Sequence, residues 1–251
     1  MIYFVGAGSG APDLITVRGA RLLSEADVIV YAGSLVNPAL LDYKKDGCEV
    51  YNSAKMTLEE VIAVMAPAAK AGKTVVRLHT GDPCVYGAHR EQMDELDRLG
   101  LAYEVCPGVS SFCGAAATLK AEYTLPNVSQ SVILTRMEGR TPVPEKEQIE
   151  SFAAHGASMV IFLSAGQLAR LSERLIEGGY APDTPAAIVY KATWPDEKVV
   201  RTTVADLAEA GAREGITKTA LITVGGFLGT EYERSKLYDP TFTTGFREAS
   251  R

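Results

Sequence analysis

Three apolar runs with strand character each end in a glycine-containing loop. Residues 2–5, Ile2-Tyr3-Phe4-Val5, enter Gly6-Ala7-Gly8-Ser9-Gly10-Ala11-Pro12-Asp13. Residues 74–79 enter Thr80-Gly81-Asp82-Pro83, with Tyr86-Gly87 close behind, and residues 103–106 enter Pro107-Gly108-Val109-Ser110-Ser111. Stretches of helical periodicity separate these runs, and a strand, loop, helix rhythm confines the chain to α/β architecture with parallel strands. Ligands in such folds sit outside the carboxyl ends of the strands, where glycine lets them approach the backbone. All three loops fall in the first half of the chain and are expected to form one binding edge.

The remaining pattern predicts two compact α/β domains, residues 1–122 and 131–240, a division suited to 251 residues. The first holds helices over 15–24, 57–71, 91–99 and 110–119, with a further strand at 27–31. Thr57-Leu58-Glu59-Glu60 is a capping-box start and Gly72 a stop. A polar, proline-containing stretch, 121–130, reads as a linker. Beyond it, strands are expected at 131–135, 159–163, 186–190 and 220–224, and helices near 145–155, 167–177 and 204–213. Residues 230–251 turn polar and read as a partly ordered tail.

The net charge of −6 disfavours broad nucleic-acid binding, which needs clustered lysine and arginine to neutralise phosphates. Cys48, Cys84, Cys106 and Cys113 form no C-x-x-C pair and read as reduced, buried thiols rather than metal ligands. His79, His89 and His155 are too sparse for a metal centre, so no metal is expected. The start of the chain lacks a secretory pattern, and no apolar run nears the ~20 residues that span a bilayer, which makes the cytoplasm the expected location and a membrane an unexpected partner.

Gly6, Gly8 and Ala11 satisfy the G-x-G-x-x-[G/A] spacing that receives a dinucleotide pyrophosphate at a helix N-terminus. Two features oppose a nicotinamide or flavin site. Pro12-Asp13 interrupts direct helix entry, and the second strand ends Val30-Tyr31-Ala32, where a ribose-binding carboxylate would stand. Asp82 fits either a tight turn, bonding its own backbone, or a ligand contact. Ser110-Ser111 could cap a helix or present its free donors to a carboxylate.

These loops, with Thr16-Val17-Arg18-Gly19 and Cys84-Val85-Tyr86-Gly87, resemble the tetrapyrrole (corrin/porphyrin) methylases over nearly the whole chain. Tyr31-Ala32-Gly33-Ser34-Leu35-Val36, Leu134-Thr135-Arg136-Met137-Glu138-Gly139-Arg140-Thr141 and Val189-Tyr190-Lys191-Ala192-Thr193-Trp194-Pro195 are similar to the branch that methylates precorrin-4 or cobalt-precorrin-4 at C-11 in cobalamin biosynthesis. Uroporphyrinogen methylases carry an aspartate where Ala32-Gly33 stand here, which argues for a different ring.

The resemblance implies the tetrapyrrole methylase fold: two α/β domains, the ligand cleft between them, and a homodimer. It implies S-adenosyl-L-methionine as cofactor and S-adenosyl-L-homocysteine as product. Carried over by position, the cofactor residues are Pro12, Thr80, Gly81, Asp82, Ser110, Ser111, Leu163, Ser164, Lys218, Thr219 and Ala220. Gly8 and Ser9 fall on the substrate side. The ring's acetates and propionates ask for cations, and Arg136, Arg140 and Lys191 are the candidates. The methyl donor supplies the difficult chemistry, so alignment is the protein's task, no protein nucleophile is needed, and no catalytic residue is assigned. The other readings are another methylase of the family, including diphthine synthase and ribosomal RNA methylases, a dinucleotide-dependent oxidoreductase, and a non-catalytic tetrapyrrole-binding module.

Overall fold

The computed structural model describes residues 1–33 and 35–250; Ser34, part of the 31–36 segment noted above, and Arg251 lie outside the described residues. By its contacts the chain divides into two units. One is Met1–Gly114 with Ala192–Asp196; the other is Ala115–Lys191 with Glu197–Arg251.

The first unit runs β1 (Ile2–Gly6), α1 (Val17–Glu25), β2 (Val28–Tyr31), β3 (Glu49–Asn52), α2 (Leu58–Lys70), β4 (Val75–His79), α3 (Arg90–Arg98), β5 (Tyr103–Cys106) and the start of α4 (Ser111–Leu119). Its strands are all parallel, in the order β3-β2-β4-β1-β5. Alternate residues serve opposite layers. Ile2, Phe4, Val28, Val30 and Val75 pack with Val61 and Met65 of α2 and Leu96 of α3. Val5, Ile29, Val76 and Leu78 pack with Leu22 and Leu23 of α1. Cover on both faces is why these strands read as continuous apolar runs. Thr16 caps α1 by accepting from the Gly19 amide at 3.0 Å, and Thr57 and Glu60 close the expected capping box on α2.

This strand order places the first two glycine loops. The chain leaves β1 through α1 toward β2 and leaves neighbouring β4 through α3 toward β5, on the opposite side. Loops that diverge from adjacent parallel strands open a crevice at their carboxyl ends. The first and second glycine loops begin there.

The second unit holds the end of α4, then β6 (Val132–Arg136), α5 (Ile149–Ala153), β7 (Ser158–Phe162), α6 (Leu168–Glu177), β8 (Pro185–Tyr190), β9 (Lys198–Thr203), α7 (Leu207–Arg213) and β10 (Ala220–Val224). Its sheet order is β6-β7-β10-β8-β9. Only β6 and β7 run parallel; β7–β10, β10–β8 and β8–β9 are antiparallel. The expectation of a parallel pattern throughout therefore fails here, because β10 inserts between β7 and β8 and reverses the direction. Met159, Ile161, Ile188, Ile222 and Val224 form the core with Ile149, Leu171, Leu175 and Leu207 from the three helices.

Two further expectations are corrected. The 121–130 stretch is packed rather than a free linker: the Ser158 hydroxyl donates to Tyr123 O at 2.6 Å, the Ser158 amide donates to Ser129 Oγ at 3.1 Å, and the Tyr123 ring lies 4.9 Å from that of Phe227. The thiols are all free, but only Cys106 is buried, with Cys48 half-buried and Cys84 and Cys113 exposed. Cys84 and Cys113 lie on loop and helix surfaces, where apolar character alone does not enforce burial.

Candidate functional site

The three glycine loops of the first unit meet at a junction of bare backbone. A Cβ on Gly6 would lie 2.6 Å from Gly108 Cα and 2.6 Å from Gly81 O, and one on Gly108 would lie 2.3 Å from Gly81 O. Gly8 and Gly81 exchange backbone hydrogen bonds of 3.2 and 3.0 Å. Gly81 also adopts φ of 61°, in the left-handed region that favours glycine. The β1, β4 and β5 loops, which the sequence led us to expect side by side, thus form a continuous, hydrogen-bonded crossing.

Asp82 clasps two of these loops. Its Oδ1 accepts from the Cys84 amide at 2.8 Å and its Oδ2 from the Gly108 amide at 2.8 Å. Partial burial opposes its ionisation, yet the donors at Cys84 and Gly108, with His89 nearby, outweigh that and hold the carboxyl below its ordinary range. The turn reading of this side chain therefore has a structural base, and the carboxylate also bonds the third loop. Thr80, just before the glycine, has a buried hydroxyl with no hydrogen-bond partner among the described residues. The Ser111 amide, at the start of α4, lies 3.4 Å from where a Gly81 Cβ would stand, and Ser110 is buried behind it.

The first loop is held from several directions. Ser9 is buried, and Pro12 opens a short 3-10 turn, Pro12–Leu14, so the glycine motif does not run straight into α1. Asn37 Nδ2 donates to Gly10 O at 2.9 Å, and Thr193 Oγ1 accepts from the Ala11 amide at 3.0 Å. Neither residue was assigned from the sequence; Asn37 carries the asparagine typical of a cap before Pro38, but its contact with Gly10 has no local signature.

Behind the second loop, two buried basic side chains have no carboxylate partner among the described residues. Arg77 donates through Nε to Gln92 Oε1 at 3.0 Å and through Nη1 to Val30 O at 3.2 Å, while Gln92 Nε2 donates to Ala88 O at 3.0 Å. Burial lowers the Arg77 pKa to about 10, which leaves it charged. The sequence-based reading of His79 and His89 as packing residues agrees with their rings, 5.9 and 5.7 Å from Phe4 and 5.8 Å from each other. Burial, then the charge of Arg77 and proximity to His89, push the His79 pKa down to about 3.

A folded-state pKa below the unfolded value means that the unfolded chain binds the extra proton. His79 thus favours the fold fully above about pH 6.5, and this contribution is lost as pH falls from there toward 3, at up to about 1.4 kcal/mol per pH unit. Urea unfolding at pH 7, 6 and 5 is expected to show this slope, and His79→Phe is expected to flatten it. Equal slopes in the two proteins would contradict the assignment.

In the second unit, one sheet edge gathers the remaining candidates. β10 runs antiparallel to β7 and β8, so its start lies beside their ends: Ala220 pairs with Tyr190, and the Lys191 amide donates to Thr219 O at 3.0 Å. Leu163, Lys191 and Thr219 all have positive φ, at 53°, 47° and 56°. Clustered left-handed, non-glycine residues are costly and persist only where the surroundings enforce them. Leu163 is also an apolar side chain that is 64% exposed. Lys218 is exposed beside them, and Ala220 begins the strand.

The structure gives Ser164 and Arg136 work within the unit. The Ser164 hydroxyl accepts from the Met137 amide at 2.9 Å and donates to Phe162 O at 2.7 Å, joining the ends of β6 and β7. The Arg136 guanidinium donates to Met137 O, Thr141 O and Pro142 O at 3.1, 3.3 and 2.7 Å, folding the loop that carries Arg140. Glu138 anchors the same loop to Arg170 and Arg174 of α6. Arg140 is exposed, and Lys191 Nζ sits 5.3 Å from the centre of the Tyr190 ring.

Residues 1–208 match the family described as Tetrapyrrole (Corrin/Porphyrin) Methylases. A cobalt-precorrin-4 C(11)-methyltransferase of Methanocaldococcus jannaschii is 54% identical, covering 100% of this chain and 97% of its own length. The solved structure of a cobalt precorrin-4 methyltransferase has a TM-score of 0.89 at 50% identity, covering 91% of this chain and 96% of that one. A uroporphyrin-III C-methyl transferase from Thermus thermophilus, solved as a complex with S-adenosyl homocysteine, has a TM-score of 0.76 at 28% identity, with 90% of this chain and 98% of that one covered.

Proposed function

The chain belongs to the tetrapyrrole (corrin/porphyrin) methylases, and from that membership we propose that it methylates C-11 of cobalt-precorrin-4, or of precorrin-4, with S-adenosylmethionine in cobalamin biosynthesis. The observation that carries the substrate assignment is the full-length likeness, at 54% identity, to a cobalt-precorrin-4 C(11)-methyltransferase. The same reading carries a homodimer acting in the cytoplasm.

The residues present suit such a donor. The closely packed glycine junction leaves its loops without side chains where the donor would approach, the buried Thr80 hydroxyl has no hydrogen-bond partner among the described residues, and exposed Leu163 offers an apolar face. In the first unit, Thr80, Gly81 and Asp82 are assigned to the methionine part, and Pro12, Ser110 and Ser111 to neighbouring contacts. In the second, Leu163, Ser164, Lys218, Thr219 and Ala220 are assigned to the adenosyl part. Gly8, Ser9, Arg140 and Lys191 serve the ring, with Arg136 shaping the Arg140 loop as well as adding charge.

When bound, S-adenosylmethionine supplies an electrophilic methyl group, which a ring carbon takes in line as the carbon–sulfur bond breaks. The protein's own contribution is alignment and charge. Asp82 fixes the second and third loops against each other, so the backbone that meets the donor is rigid before binding. Arg140 and Lys191 offset the ring carboxylates, which an acidic protein could not otherwise attract. Alignment of this kind is worth about 7–11 kcal/mol in favourable cases.

The test is transfer of labelled methyl from S-adenosylmethionine to cobalt-precorrin-4 and to precorrin-4, with the methylated carbon located by NMR. Label at C-11 with stoichiometric S-adenosylhomocysteine is expected, and the faster ring identifies the natural one. Label at another carbon, or none on either ring, would refute the assignment.

A further inference from the structure

The segment Ala192–Asp196, between β8 and β9, is grouped with the first unit and grips the first glycine loop. Thr193 is its working residue. Its φ is +68°, left-handed for a β-branched side chain, which is a true outlier and persists only where the surroundings enforce it. The hydroxyl lies 3.2 Å from Ser9 Oγ and accepts from the Ala11 amide at 3.0 Å, across 184 and 182 residues of sequence.

Neighbouring groups pack closely against the same loop. A Cβ on Gly10 would lie 2.2 Å from Trp194 Cδ1, and one on Gly114 would lie 2.5 Å from Ser9 Cβ and 3.5 Å from Thr193 Cγ2. Ser9 is therefore wedged between α4 and the Thr193 side chain, with its hydroxyl turned to Thr193.

We propose that Thr193 is a positioning residue that fixes Ser9 and Ala11 for the tetrapyrrole, acting through the first loop rather than by touching the ring. This rests on the assignment of Gly8 and Ser9 to the substrate. The strained backbone of Thr193 is retained because only there does its hydroxyl reach both the Ser9 side chain and the Ala11 amide. Valine keeps the shape and the β-branch and removes the hydroxyl; serine keeps the hydroxyl and removes the methyl.

Wild type, Thr193→Val and Thr193→Ser are compared by hydrogen exchange of the amides at 9–14, by KM and kcat with cobalt-precorrin-4, and by the emission of Trp194, the chain's one tryptophan. Thr193→Val is expected to speed exchange in that segment about tenfold and raise KM about tenfold, with kcat changed less than about twofold. It is also expected to shift the Trp194 emission. Thr193→Ser is expected to stay within about threefold of wild type. Unchanged exchange at 9–14, equal effects of both variants, or faster exchange throughout the chain with a lowered Tm would each overturn the proposal. If the wild-type protein methylates neither ring, the function fails, while exchange and emission still decide what Thr193 does to the loop.

Discussion

Gly108→Ala is expected to lower stability by roughly 3 kcal/mol or more and to abolish binding of S-adenosylhomocysteine. The added methyl would stand 2.3 Å from Gly81 O and 2.7 Å from Gly6 Cα. Both are backbone atoms of central parallel strands or their loops, so no side-chain rotation relieves the clash. The chain must instead separate the β5 loop from β1 and β4, which breaks the bond from the Gly108 amide to Asp82 and the alignment of the crossing. Gly245→Ala is the control, since nothing among the described residues lies within 4 Å of its added Cβ, and it should fall within about 0.5 kcal/mol of wild type. Urea unfolding and calorimetric titration with S-adenosylhomocysteine measure both effects. A Gly108→Ala protein with wild-type stability and affinity would mean that the crossing does not form in solution.

That crossing was legible in part. The strands β1, β4 and β5 are buried on both faces or end in buried residues, and a glycine closes β1 and stands two residues beyond β4 and β5, so the place where the loops meet could be read from the pattern alone. The clasp by Asp82 could not, because one oxygen bonds two residues onward and the other bonds Gly108, 26 residues away. Two edge strands escaped as well: Glu49–Asn52 is largely exposed and Lys198–Thr203 buries only Val200, so neither carries a continuous apolar signal. The docking of Thr193 on the first loop had no local sign. Threonine is a poor prior for a left-handed backbone, and only tertiary bonds hold it there. The second unit's candidates rest on resemblance alone, and no local pattern shows that Leu163, Lys191 and Thr219 share one strained edge.

Removal of the Asp82 carboxylate is expected to have the second large effect. In Asp82→Ala the amides of Cys84 and Gly108 both lose an anionic acceptor, and hydrogen bonds to charged groups contribute about 1.5–3 kcal/mol each. Solvent can reach this half-buried turn and replace part of that, so a loss of roughly 2–4 kcal/mol is expected. Asp82→Asn keeps the size and one acceptor oxygen but turns an NH2 toward the other amide, donor against donor, and should lie between wild type and Asp82→Ala. The clasp also has a pH signature opposite in cause to that of His79. Because the Asp82 pKa is lowered on folding, its contribution is complete above the ordinary carboxylate value of about 3.9 and is lost as pH falls through the folded value below it. The Asp82 variants should therefore differ most from wild type at neutral pH and converge on it in strong acid, whereas His79→Phe differs in slope between about pH 6.5 and 3. Urea midpoints across pH separate the two groups, and affinity for S-adenosylhomocysteine at pH 7 should fall about tenfold or more in Asp82→Ala, since a loosened Gly81 loop must be ordered again on binding. If Asp82→Ala unfolds at the wild-type midpoint and binds equally well, the carboxylate is no clasp, and the two loops are held by the glycine packing alone.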